Sequence, residues 1–327
     1  MKKWLSLFVA LVLASTLCFG ALAEAAPVKD VKDLYLGFVG MTLNNEFHIV
    51  LANAAQQEAD KLGVKIEVQA GATHASSDTQ LAIVENYISQ GVDGILLVPS
   101  SSEGLVAAIQ ACAEANIPII NLDTKLTDDV LAEAGMDIPF FGTNNYNGAK
   151  LAGEWVVANM PQGVVTAILT GIDGQTNAAD RYNGFIDAAG DHIKLVATQT
   201  ANWEVDQGYT AAQNIIQANP DLQLIVCGND NMGIGALSAV QEAGLGEQIS
   251  IIGFDAVSEA LNLVKSGEFT ATVAQYPAEM GIQGVDAMVK LLTGHKDEVA
   301  LTTDTGCELV TKDNVDKFIE YVSQFAK

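Results

Sequence analysis

Arg181 is the only arginine in a chain of 327 residues that carries fifteen lysines. A guanidinium is a rigid fork of five donors that stays protonated, whereas an ammonium is a flexible point charge. A position that keeps Arg where every other cation is Lys suits a group that must grip several acceptors at once. The other reading is a surface residue paired with Asp180 or Asp187. Elsewhere the chain repeatedly sets polar side chains just after a short apolar run. Asn44 and Asn45 follow the first run, Asp123 follows IINL, and Asn144 and Asn145 follow FFGT. Asn229 and Asp230 follow LIVCG, Asp255 follows IIGF and Gln275 follows TVA, while Phe47 and Trp203 stand just beyond other runs. Carboxylates accept from hydroxyls, amides both donate and accept, and a guanidinium donates. Together these groups fit a polyhydroxyl molecule, with aromatic rings covering its apolar faces. Helix capping is the competing role for Asn and Asp, but it explains neither the aromatics nor the arginine.

Other chemistries lack their residues. No G-x-G-x-x-G, no G-x-x-x-x-G-K-[ST] and no G-x-S-x-G occurs. Asp123 and Asp255 with His48 as a shuttle would make an acid/base set, but no spacing supports it, so the expectation is a protein that is not an enzyme. His48, His74, His192 and His295 are scattered singly and no Cys/His spacing marks a metal site, so neither metal nor cofactor is expected.

The elements that must carry these residues are short apolar runs at 34–41, 64–69, 94–98, 117–122, 140–143, 164–170, 193–198, 222–227, 249–254 and 270–274. Stretches with helical period separate most of them, as at Ile49, Ala52 and Ala55. Strands without polar alternation, each followed by a helix, predict parallel sheets covered on both faces. The number of strands and the chain length predict α/β architecture with two doubly wound, Rossmann-like domains. In such sheets ligands bind beyond the carboxyl ends of the strands, which is where the polar residues stand.

Residues 1–25 read as an export signal: Lys2 and Lys3, an apolar stretch, then small-residue sites that place cleavage near Ala23 or Ala25. Cys18 lacks the small residue expected before a lipidated cysteine, so a soluble periplasmic protein is expected. Cys112, Cys227 and Cys307 remain, an odd number that fits small core residues better than a disulfide framework. A formal net charge of −24 argues against nucleic acid and anionic membranes as partners.

LNNEF (43–47), INLD (120–123), TNNYNGAKLAG (143–153), ADRYNGF (179–185), NDNMGIGAL (229–237), IIGFD (251–255) and TVAQYP (272–277) together resemble the ribose-type periplasmic sugar-binding proteins of ABC importers, from about residue 31 to 310. The resemblance implies the type I periplasmic binding protein fold, two domains joined by a three-crossing hinge. The implied limits are 26–143 plus 276–304 for one domain and 144–275 plus 305–327 for the other. It implies a ligand site of Asn45, Phe47, His48, Asp123, Thr124, Asn145, Arg181, Trp203, Asn229, Asp255 and Gln275. A ribose binder of this pattern carries Arg at the position of Thr124 and a second aromatic at that of His48. The ligand therefore stays open among ribose, another pentose, a hexose, a cyclitol and a polyol. With Thr124 uncharged, Arg181 is expected to serve the ligand alone, and Arg181→Lys to weaken binding while barely moving the ligand-free melting temperature. The expected partner of a monomeric receptor is an ABC permease; the alternative is a sensory receptor that presents its ligand to a chemoreceptor or kinase. A LacI-like repressor would need a DNA-binding headpiece where the export signal stands.

Overall fold

A computed structural model describes residues 29–326, so the export segment expected at 1–25 lies outside the described residues. The first half of the chain alternates β1 (Tyr35–Gly40), α1 (Glu46–Leu62), β2 (Lys65–Ala70), α2 (Ser77–Gln90), β3 (Gly94–Leu97), α3 (Val106–Ala115), β4 (Ile119–Leu122), α4 (Asp128–Ala134) and β5 (Phe140–Gly142). The alternation then starts again with α5 (Asn145–Asn159), β6 (Val164–Thr170), α6 (Thr176–Ala189), β7 (Ile193–Thr200), α7 (Val205–Ala218), β8 (Leu224–Cys227), α8 (Asp230–Glu242), β9 (Ser250–Asp255), α9 (Ser258–Ser266) and β10 (Ala271–Gln275). The chain closes with α10 (Pro277–Leu292), β11 (Thr302–Asp304), β12 (Cys307–Val310) and α11 (Val315–Ser323).

All ten apolar runs are strands. They form two sheets of the same build, ordered β2-β1-β3-β4-β5-β11 and β7-β6-β8-β9-β10-β12. Pairing is parallel throughout except for β12, which runs antiparallel to β10. In each sheet the strand order reverses beside the first strand, which opens a crevice at the carboxyl edge. Both faces are covered. Leu36, Phe38, Leu96 and Ile120 pack with α1 and α10 on one face of the first sheet, and Val39, Ile95, Leu97 and Ile119 with α2 and α3 on the other. The second sheet buries Ala167, Leu169 and Ile225 towards α7 and α8, and Ile168, Val226 and Ile252 towards α5 and α6. Strands covered on both sides need apolar residues at every position, which is why the runs show no polar alternation.

The chain passes between the sheets three times: after β5, after β10, and between β11 and β12. Two of these crossings are tied together by Asp304 Oδ1, which accepts from Asn144 N at 3.1 Å and Gly306 N at 2.9 Å. The strands β11 and β12, three and four residues long, were not anticipated from sequence. Cys112 and Cys227 are buried free thiols and Cys307 is half-buried.

Candidate functional site

The carboxyl edges of the two sheets face each other. From the first domain, Asn45 caps α1 by accepting from Phe47 N at 3.0 Å, which fixes its amide so that the Nδ2 donors point away from the helix. Phe47 and His48 follow on the first turn, their rings meeting edge to face at 5.3 Å. At the end of β4, Asn121 staples the next turn by donating to Thr124 O at 2.9 Å and accepting from Leu126 N at 3.0 Å. That turn holds Asp123 at φ 62°, a left-handed conformation uncommon for any residue but glycine.

From the second domain, Arg181 projects from α6. Its Nε donates to Asn145 Oδ1 at 2.8 Å and its Nη1 to Gly228 O at 2.6 Å and Asp255 Oδ1 at 3.2 Å. The guanidinium lies over the Phe254 ring at 3.8 Å from its centroid. Nη2 makes no bond to the described residues. Gln275, at the end of β10, donates to Asp255 Oδ1 at 2.7 Å. Asn229 caps α8 by accepting from Met232 N at 3.0 Å and turns its Nδ2 towards Trp203 O at 3.3 Å. Trp203 sits at φ 68°, and its indole N–H donates to Gln175 Oε1 at 2.7 Å. Gly171 makes room for that indole, since a Cβ there would fall 1.8 Å from the ring. Three of the six non-glycine residues with positive φ among the described residues, Asp123, Trp203 and Asp255, thus stand at this edge. Such strain is concentrated at functional sites.

Between the domains lies a small cavity. Asn45, Phe47, His48, Asp123, Arg181, Trp203, Asn229, Asp255 and Gln275 line it, together with Met41, His74 and Asn177. The cleft is shut. Glu46 accepts from Ser258 N at 2.7 Å and Ser258 Oγ at 2.6 Å, Gln175 Nε2 donates to Ser100 O at 2.8 Å, and Thr176 N donates to Ser102 Oγ at 3.1 Å.

Burial sets the charge state of the walls. Removal from water, aided by His74 and Arg181, lowers His48 to about 3, so its ring is neutral. Burial raises Asp255 to about 6, a rise limited by Arg181 and by the bond from Gln275. Asp123 is also raised by burial, against the pull of Arg181 and the hydroxyl of Thr124. Two polar atoms of the lining, His48 Nδ1 and Gln275 Oε1, are buried with no partner.

Nine of the eleven residues expected from sequence are therefore brought together. The other two stand one step behind the wall. Thr124 donates to Asp123 Oδ2 at 3.0 Å, and Asn145 accepts from Arg181. Arg181 is also an anchor of its own domain, because three of its bonds go to protein. Met41, His74 and Asn177 were missed. Asn177 lies one helical turn before Arg181, and His74 follows the carboxyl end of β2. Reading every strand end and the i, i+4 neighbour of Arg181 would have found both.

Two doubly wound domains closed over a small polar cavity define a two-domain receptor for a small solute. Residues 36–296 match the periplasmic binding protein domain. The chain is 31% identical over 317 residues to the D-ribose/D-allose-binding protein of Pseudomonas aeruginosa, spanning 95% of this chain and 98% of that one. It is 32% identical over 305 residues to the ribose import binding protein RbsB of Escherichia coli, spanning 93% and 97%. Among solved structures, an ABC transporter periplasmic solute binding protein from Actinobacillus succinogenes with bound D-allose superposes with a TM-score of 0.81 at 31% identity, covering 87% of this chain and 99% of that one. The Caulobacter myo-inositol binding protein bound to myo-inositol gives 0.80 at 29% identity, covering 89% and 97%. The chain belongs to the periplasmic binding protein family, within its ribose-type sugar-binding group.

Proposed function

We propose that this protein is an exported, periplasmic solute-binding protein that captures one small neutral polyhydroxyl molecule, a monosaccharide, cyclitol or polyol, and delivers it in the closed form to an ABC permease. The observation that carries this reading is the mixture of unspent hydrogen-bonding groups in the cavity wall. Gln275 Oε1 can only accept, Arg181 Nη2 can only donate, and His48 Nδ1 is unpartnered. A hydroxyl does both at once, so a molecule carrying several can meet all of them. Two carboxylates against one guanidinium make the wall unfavourable for a phosphate or carboxylate ligand. Phe47 and Trp203 offer ring surface to C–H faces. The relatives named above bind D-ribose, D-allose or myo-inositol. We place the domain limits at the three crossings, with residues up to 143 and 276–304 moving against 144–275 and the chain from 305 onward.

A thermal-shift screen with D-ribose, D-allose, myo-inositol, an alditol and a sugar phosphate tests the reading. A ligand at a hundredfold excess over its dissociation constant stabilises by about 2.7 kcal/mol. One or more neutral compounds should produce such a shift and the phosphate none. The opposite pattern would overturn the proposal.

A further inference from the structure

Two cavity-wall residues also bond across the cleft. Asn177 reaches Thr124 Oγ1 at 3.5 Å, whereas His74 Nδ1 lies 2.8 Å from Glu204 Oε1. His74 stands in the turn after β2, and that turn is built. Asn44 Nδ2 donates to Ala72 O at 2.9 Å and Thr73 N to Ser76 Oγ at 3.0 Å. A Cβ at Gly71 would fall 2.6 Å from Met41 O, so the turn lies flush against the β1–α1 connection. On the other side, Glu204 occupies the capping position of α7 yet makes no capping bond. Its carboxylate reaches across the cleft instead, at a helix end that favours negative charge. The hydrogen-bond chain fixes the imidazole. Asn45 Oδ1 is taken by Phe47 N, so Asn45 Nδ2 faces His74 Nε2 at 3.5 Å as a donor. His74 Nδ1–H then donates to Glu204, and Nε2 is left as an acceptor on the cavity side. The His74 ring also lies 5.6 Å from that of His48, centroid to centroid.

We infer that His74 is a positioning residue that couples the ligand to domain closure: one edge of its imidazole lines the cavity while the other is anchored to Glu204 of the opposite domain. This inference rests on the receptor reading above. Opening the cleft separates His74 from Glu204, so the bond stabilises the closed state alone. An interaction of that kind raises affinity through the closed–open equilibrium. It acts on ligand release rather than on encounter.

The test is a double-mutant cycle on the full chain, read by stopped-flow fluorescence with D-ribose, D-allose and myo-inositol as probes. His74→Ala and Glu204→Ala should each speed release about tenfold, which corresponds to about 1.4 kcal/mol, with association rates unchanged. The double variant should lose little more than either single variant, because both remove the same bond. His74→Gln, which keeps a donor, should recover part of the loss. Ligand-free melting temperatures should stay close to wild type. Should His74→Ala not fold, Glu204→Ala still reads the release rate from the other domain. Release rates that are unchanged, or losses that multiply to about a hundredfold in the double variant, overturn the coupling role while leaving the receptor reading intact. A wild-type protein that binds none of the probes overturns both.

Discussion

Arg181→Lys separates two accounts of the lone arginine. All three of its protein bonds, to Asn145 Oδ1, Gly228 O and Asp255 Oδ1, stay within the second domain, so they persist whether the cleft is open or closed. One ammonium cannot replace a planar fork that reaches in three directions. Keeping the ion pair with Asp255 would leave Asn145 Oδ1 or Gly228 O buried and unsatisfied, at a cost of about 1–3 kcal/mol each. Loss of the cation–π contact with Phe254 adds about 0.5–2 kcal/mol. A total loss of about 2–4 kcal/mol in the ligand-free protein follows. At roughly 2–4 °C per kcal/mol for chains approaching this size, the melting temperature should drop by several degrees. Ligand affinity should fall tenfold or more, because Nη2, the donor left for the ligand, disappears. Scanning calorimetry of the ligand-free variant and titration calorimetry with a bound sugar read the two effects separately. An unchanged ligand-free melting temperature would refute the anchoring argument. Unchanged affinity would remove the guanidinium from the ligand's contacts.

Asp123→Asn should weaken sugar binding about ten- to a hundredfold by titration calorimetry, since hydrogen bonds to a charged acceptor are worth about 1.5–3 kcal/mol. Gly171→Ala should displace the Trp203 indole, whose ring a Cβ would strike, and cost binding at least tenfold; wild-type affinity would show that the indole does not shape the cavity. Ligand binding should change Trp203 fluorescence, and a silent signal from a variant lacking Trp155 would contradict its place in the wall. Affinity should fall below about pH 6 as Asp255 takes up a proton and leaves Arg181 unpaired. Stability runs the other way for this group. Its folded value lies above the unfolded one of about 3.9, so the native state holds the proton longer, and the group's contribution to stability declines as pH rises from about 4 to 6. Calorimetry from pH 5 to 8 that shows flat affinity would contradict the ligand role of Asp255.

The strands were legible because a parallel sheet covered on both faces writes itself as unbroken apolar runs, and the ligand edge because polar residues end those runs. Capping and ligand roles looked like rivals in the sequence. In the structure they cooperate, since Asn45 and Asn229 spend the oxygen on the helix and so turn the nitrogen away from it. Thr124 and Asn145 could not be told from wall residues, because distance from the cavity depends on which way a turn points, and motif position does not encode that. β11 and β12 are too short to show a period and owe their pairing to the tertiary fold. His74 escaped because its signal, a histidine alone in a polar turn, gains meaning only when Glu204, 130 residues away in sequence, is brought to it by closure.

A crystal structure of the protein with the neutral sugar that stabilises it most tests the central claim most directly. The account predicts that sugar between the domains, its hydroxyls on Asp123 from one side and on Arg181 Nη2 and Gln275 Oε1 from the other. A sugar bound outside that cavity, or touching one domain only, would contradict it.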